Sequence, residues 1–235
     1  MATFVICHGA WSAAWAWKKV RPMLRAAGHD VFTPTYTGLG ERSHQVSRSI
    51  TLDTHIADVL AVLEYEDLSD VVLVGHSYGG MVATGLADRA AGRIAKLVYI
   101  DAFVPENGQS LNDLLPPSAR ASRQETTAAQ GDGWLVAPNP IPPDTSPEDV
   151  AWIAARRRWQ PMGTFTQPVA LTGAVARLPR HYIYCTRVAP GDTFGQFARR
   201  FKSDAAWRYY EIDASHSPNV TAPERLVQIL REIAD

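Results

Sequence analysis

Val71-Val72-Leu73-Val74-Gly75-His76-Ser77-Tyr78-Gly79-Gly80 is the stretch on which the fold of this chain turns. Its first half is a continuous apolar, β-branched run, the pattern of a strand buried on both faces in the middle of a parallel sheet. G-x-S-x-G follows at once, at Gly75-His76-Ser77-Tyr78-Gly79, and from about Gly79 to Ala90 the pattern turns helical. A serine on a tight strand-to-helix turn projects its oxygen above the sheet, and flanking glycines let neighbouring backbone approach without a side-chain clash. The Tyr78 amide and the helix N-terminus then face the oxyanion that forms on attack. The short motif is common by chance. Its weight here comes from the strand before it, the helix after it and the additional Gly80, which together make Ser77 the candidate nucleophile.

On both sides of this turn, short β-branched runs alternate with longer amphipathic stretches, which argues for βα units and a largely parallel sheet. Strands are expected at Phe4 to Cys7, Asp30 to Thr33, Val71 to Val74, Lys96 to Ile100, His181 to Cys185 and Arg208 to Ile212. Helices are expected from Trp15 to Ala27, closed by Gly28, and from an Asp53 N-cap to about Tyr65, with Ile56, Leu60 and Leu63 on one face. Two more are expected near Phe194 to Phe201 and from about Pro223 to Ile233. The expected class is α/β, a mostly parallel sheet of about six strands flanked by helices. Between Pro105 and Pro168 the pattern breaks: prolines crowd in, strand character is slight, and a helix from about Pro147 to Arg158 with Ser146 as N-cap stands out. Such a segment is too long for a plain connection. It reads as a cap, residues 105–168, inserted into one domain whose core is 1–104 and 169–235.

With 235 residues, 46% hydrophobic and 20% charged, the chain suits a single globular core. A formal net charge of -1 offers no long-range pull toward nucleic acid or an anionic membrane, and no apolar run approaches the roughly 20 residues that span a bilayer. The N-terminus enters the Phe4-Val5-Ile6-Cys7 run at once, without the pattern of a secretory leader, so a cytoplasmic location is expected. Cys7 and Cys185 fall in apolar runs and read as buried structural thiols. No cysteine/histidine spacing suggests zinc, and Gly38-Leu39-Gly40 is a turn rather than a nucleotide fingerprint, so no cofactor or metal is expected. The expected partner is a small molecule; a homodimer is left open.

His216, in Asp213-Ala214-Ser215-His216-Ser217-Pro218 just past the last strand, can reach over the strand ends to the serine and accept its proton. The other histidines suit this role less: His76 is inside the turn, pointing away from the nucleophile, while His29, His44, His55 and His181 lie in exposed or strand-start contexts.

Together, Cys7-His8-Gly9-Ala10-Trp11, Trp15, Trp17, Gly38-Leu39-Gly40, Gly75 to Gly80 and Asp213 to Pro218 resemble the α/β-hydrolase superfamily. Within it they are most similar to the branch of plant methylesterases, hydroxynitrile lyases and small bacterial esterases; the 105–168 segment matches only loosely. The resemblance implies a second oxyanion donor on the backbone of Ala10, paired with Tyr78. It also frames the choice of acid. Most superfamily members carry it shortly after the strand that here is His181 to Cys185, where the first carboxylate is Asp192. Asp192, in Pro190-Gly191-Asp192-Thr193, is equally an N-cap for the next helix. Some subfamilies take the acid from the preceding strand end, here Asp101, and a carboxylate ending a buried strand needs a partner such as an imidazole. Asp101 is the favoured reading and Asp192 the rival.

Lyases of this branch carry a threonine where this chain has Gly9 and a lysine where it has Ser217, so cyanide release lacks its cation. The expected activity is cleavage of a small carboxylic ester through an acyl-enzyme intermediate. Amide or carbamate cleavage uses the same parts, and a non-catalytic ligand-binding protein of this fold could retain Ser77 and His216. Trp134, Trp152, Trp159 and Phe165 are candidates for pocket wall or cap core, Trp11, Trp15 and Trp17 for packing, and Arg156-Arg157-Arg158 for a solvated helix face.

Overall fold

The computed structural model describes residues 1–188 and 191–235, so the Pro190 end of the turn expected before Asp192 lies outside the described residues. The strands are β1 (Thr3–Cys7), β2 (Asp30–Phe32), β3 (Val71–His76), β4 (Ile94–Ile100), β5 (Leu135–Val136), β6 (Gln160–Pro161), β7 (Arg180–Cys185) and β8 (Trp207–Ile212). The helices are α1 (Val20–Ala26), α2 (Leu52–Tyr65), α3 (Gly79–Arg89), α4 (Pro117–Gln130), α5 (Pro147–Ala154), α6 (Gly163–Thr166), α7 (Gly195–Lys202), α8 (Pro218–Thr221) and α9 (Pro223–Ala234). Six strands form one sheet in the order β2-β1-β3-β4-β7-β8, every neighbour parallel, while β5 and β6 pair antiparallel apart from it.

The period-two alternation of a strand divides the core into two layers. Val5, Cys7, Leu73, Leu97, Tyr99 and Tyr182 meet the apolar sides of α2, α3 and α7 on one face. Phe4, Ile6, Val72, Val74, Val98 and Ile183 meet α1 and α9 on the other. Both faces are therefore buried, which is why the central strands lack a polar side.

Local chemistry moves several boundaries. The helix expected from Trp15 to Ala27 is two pieces, a 3₁₀ turn at Ala14–Trp17 and α1. Pro22 lacks the amide and crowds the carbonyl four residues back, so it is tolerated only in the first turn of a helix, and α1 begins at Val20 accordingly. The cap of α2 is Thr51, in extended backbone and paired with Thr54 in a capping box. Asp53 instead lies in the first turn, where its carboxylate suits the helix dipole and accepts from Gln167 Nε2 at 2.7 Å. Ser146 caps α5 as expected, accepting from the Asp149 amide at 3.2 Å, but α5 ends at Ala154, short of Arg158.

β4 and β7 are neighbours in the sheet, so the chain between them is an excursion from it. It holds more structure than its sequence suggests. Helix α4 escapes pattern reading because it has no apolar stripe; only Thr127 along it is buried. Strands β5 and β6, two residues each, are too short for any alternation to show. No helix among the described residues is long and apolar enough to cross a membrane.

The first turn of α3 sits directly on backbone. A Cβ at Gly79 would overlap the Cys7 carbonyl, and one at Gly80 the Phe103 carbonyl. Gly79→Ala should therefore destabilise the protein by about 1–3 kcal/mol, the usual range for forced overpacking. Gly92→Ala, whose Cβ would meet nothing within 4 Å, should stay within about 0.5 kcal/mol. Urea midpoints of the two variants measure the difference.

Candidate active site

Ser77 joins β3 to α3 with φ +56°, a left-handed backbone that costs a non-glycine residue about 1–3 kcal/mol. Three bonds over-determine it: the Ser77 amide donates to Ile100 O at 3.2 Å, and its carbonyl accepts from Gly80 N at 3.0 Å and Phe103 N at 3.2 Å. Trp11 (φ +57°) and Asp101 (φ +41°) share this conformation. The other non-glycine cases, Asp67, Asp70 and Asp132, occupy exposed turns where aspartate tolerates it. Strain at Trp11, Ser77 and Asp101 thus gathers where strands β1, β3 and β4 end.

His216 stands between the other two polar groups. Its Nε2 lies 2.9 Å from Ser77 Oγ and its Nδ1 2.7 Å from Asp101 Oδ2. A carboxylate only accepts, so Nδ1 carries the proton and Nε2 is left to receive the serine's. Asp101 is buried, its side chain 6% exposed against 37% for His216, and its Oδ1 accepts from the Cys185 amide at 3.3 Å. Asp192 is elsewhere: its carboxylate accepts from Tyr184 Oη at 2.9 Å and from the Gly195 amide at 2.8 Å, at the start of α7. Of the two carboxylates weighed from sequence, Asp101 is the one beside the imidazole.

The loop bearing His216 is pinned from several directions. His76 lies 2.7 Å from the His216 carbonyl through its Nε2 and, since a carbonyl only accepts, donates to it. His76, inside the turn, therefore reaches the backbone of the candidate base. The Ser215 amide donates to Asp144 Oδ2 at 3.2 Å, and Arg187 holds Asp213 at 2.8 and 2.9 Å. Phe194 stacks on the His216 ring at 4.7 Å and 9°. His76, Asp144 and Phe194 carry no local signature, since each contact joins distant parts of the chain.

Gly9 lies against the serine turn, where a Cβ would come within 3.3 Å of Ser77 Cβ and 3.0 Å of His76 Nδ1. That seating brings the segment carrying Ala10 alongside Ser77. Among the described residues, neither the Ala10 nor the Tyr78 amide donates to a protein acceptor.

His55, expected in an exposed context, is buried: its Nε2 donates to Thr37 O at 3.1 Å and its Nδ1 accepts from Tyr78 Oη at 2.8 Å. Of the aromatic candidates, Phe165 packs 5.7 Å from both the Trp11 and Tyr78 rings, while Trp152 turns to Trp15 and Trp134 to Arg48. Arg156 and Arg158 are exposed, as expected of a solvated face, but Arg157 is half-buried and donates to Asn139 O at 2.5 Å. Burial pushes the Cys7 thiol up to about 12, consistent with a structural role. Among the described residues, no group of three or more histidine, cysteine, aspartate or glutamate side chains is placed to hold a metal ion.

A serine at a strained strand-to-helix turn, an imidazole within reach and a buried carboxylate behind it make this the candidate hydrolase site on a doubly flanked parallel sheet. The chain belongs to the alpha/beta hydrolase family, whose pattern it matches over residues 4–229. It is 40% identical to the carbendazim hydrolyzing esterase of Nocardioides sp. (strain SG-4G), over 98% of each chain. It is 37% identical to Methylesterase 9 of Arabidopsis thaliana, over 45% of this chain and 42% of that one. Its fold superposes on an extracellular alpha/beta-hydrolase from a Paenibacillus species, which shares structural and functional homology with tobacco Salicylic Acid Binding Protein 2. The TM-score is 0.86 and the identity 26%, covering 100% of this chain and 99% of that one.

Burial of His8, His55 and His76 pushes each imidazole down to about 3 from an ordinary 6.5, with His216 the second cause at His76. Between those values the unfolded chain binds protons that the folded chain refuses, so stability is flat above 6.5 and falls as the pH drops toward 3. The slope is about 1.4 kcal/mol per pH unit for each such histidine. Urea midpoints should decline steadily from pH 6.5 to pH 5 and stay constant from pH 7 to pH 8; a midpoint insensitive to acid would contradict the burial of three neutral imidazoles.

Proposed function

We propose that Ser77 is the nucleophile, His216 the general base and Asp101 the acid of this carboxylic ester hydrolase, with the Ala10 and Tyr78 amides as its oxyanion hole. The assignment to ester hydrolysis follows from the family and from the esterases among its relatives. The continuous run of contacts from Asp101 Oδ2 through both nitrogens of His216 to Ser77 Oγ, at 2.7 and 2.9 Å, is the observation that carries the residue roles.

In this reading Ser77 Oγ attacks the ester carbonyl while its proton passes to His216 Nε2. The carbonyl oxygen becomes an oxyanion facing the two amides, and each well-aimed donor there is worth about 3 kcal/mol in the transition state. His216 returns the proton to the departing alcohol, and water, activated by the same nitrogen, releases the acid from Ser77. Asp101 holds the Nδ1–H tautomer and stabilises the transient imidazolium without accepting the proton. A side chain at Gly9, such as the threonine of the lyases, would require His76 and Ser77 to give by a few tenths of an ångström.

The test is turnover of a series of nitrophenyl esters of increasing acyl length. Ser77→Ala should abolish it, and Asp101→Asn should lower kcat by about 10³–10⁴ through the wrong imidazole tautomer. Asp192→Asn should remain within about two-fold of wild type, since its side chain bonds Tyr184 and the Gly195 amide rather than the imidazole, and an asparagine oxygen can still accept there. A large loss at Asp192 with little at Asp101 would reverse the choice of acid.

A further inference from the structure

Trp11 follows the proposed oxyanion donor Ala10, and its backbone is strained, with φ +57° on a bulky side chain. Two bonds from the excursion between β4 and β7 hold it there. The Trp11 amide donates to Gln160 Oε1 at 2.8 Å, and its indole Nε1 donates to Val136 O at 3.0 Å. Gln160 and Val136 are directly opposed across the β5–β6 pair, so one two-residue ladder supplies both acceptors.

Gln160 is fully buried, and its orientation is fixed by its neighbours. Thr164 Oγ1 gives its own hydrogen to Pro161 O at 2.8 Å, so it accepts from Gln160 Nε2, also at 2.8 Å. That leaves Oε1 facing the Trp11 amide. One residue further along α6, Phe165 packs on both Trp11 and Tyr78, the residues beside and at the two proposed donors.

The consequence concerns two successive amides. Were the Trp11 N–H not taken up, the Ala10–Trp11 peptide could rotate out of its strained state, carrying Ala10 away from Ser77. A positive φ at a tryptophan persists only where its surroundings over-determine it. We propose that Gln160, supported by Thr164 and backed by Val136, is a positioning residue for the oxyanion hole: by holding the Trp11 amide it keeps the Ala10 amide aimed at the reacting carbonyl. The excursion then contributes to the rate of acyl transfer. This rests on the reading of Ala10 as an oxyanion donor.

The experiment compares wild type with Gln160→Met, which keeps length but removes the strong acceptor, and Gln160→Glu, which keeps an acceptor for Trp11. Each is assayed for kcat and KM on a nitrophenyl ester, and for inhibition by an aryl trifluoromethyl ketone. Ser77 Oγ adds to the ketone carbon, its proton moves to His216, and the ketone oxygen becomes an oxyanion in the hole. Gln160→Met should lose about 10-fold in kcat with KM within about two-fold, and ketone affinity should fall by a similar factor. Gln160→Glu should restore both to within about three-fold of wild type. Should Gln160→Met not fold, Thr164→Val frees the amide that aims Gln160 while leaving its acceptor, and should lose about three-fold in kcat and ketone affinity together.

Folded Gln160→Met or Thr164→Val with wild-type kcat and wild-type ketone affinity would overturn the clamp alone. A loss expressed in KM with ketone affinity intact would overturn it in favour of a role in substrate binding alone. A wild type that turns over the ester but is not inhibited by the ketone would overturn the oxyanion reading, and the clamp with it.

Discussion

The first turn of α3 rests on the ends of β1 and β4 with no side chain between them. Gly79 faces the Cys7 carbonyl and Gly80 the Phe103 carbonyl so closely that neither position admits a Cβ. This contact forces the chain to turn sharply at Ser77, which is why a serine occupies left-handed backbone there. It also fixes where β1 ends relative to the serine, so that Gly9 is packed against Ser77 rather than merely near it. A helix set even slightly further out would relieve the strain and open a gap between the serine turn and the Gly9 segment.

Behind this turn lies a buried polar network made of neutral groups. Tyr36 is stacked between His8, at 3.8 Å, and His55, at 4.7 Å, and its hydroxyl donates to the His8 carbonyl at 3.2 Å. The His55 ring in turn accepts from the Tyr78 hydroxyl, so the segment after β2 joins the segment after β1 to the one after Ser77. Burial keeps these imidazoles uncharged, and an uncharged ring with one donor and one acceptor has its tautomer dictated by its partners. Such a network avoids the cost of an interior charge and still leaves few alternative arrangements.

The loop bearing His216 is held from the other side by contacts of the same directional kind. His76, neutral and buried, holds the carbonyl of His216, while Asp144, from the excursion after β4, accepts from the neighbouring Ser215 amide. The excursion therefore meets the body of the fold at the histidine loop through Asp144 and at the Gly9–Trp11 segment through Gln160 and Val136. The excursion is thus anchored on both sides of the Ser77–His216 pair.

Much of this is legible in the sequence. The apolar run at Val71–Val74, the glycines around Ser77 and the alternation of strands and helices are local signals, because strand burial and turn geometry depend on residues close together in the chain. They led to the parallel sheet, to Ser77 and to His216 at the end of a strand. The sequence favours Asp101 over Asp192 because a carboxylate ending a buried strand needs a partner, but only the direction of the His216 ring separates the two, since either residue ends or follows a neighbouring strand. Helix α4 was illegible because it buries almost nothing, and β5 and β6 because two residues show no period. His55 is buried rather than exposed because Tyr36 and Tyr78 pack on its ring, which a helix pattern does not reveal. Gln160 had no signal at all: its meaning is a 2.8 Å bond to a residue 149 positions earlier. Local sequence dictates what a short segment can be, while pairing between distant segments is settled only when burial forces each polar group to find its partner.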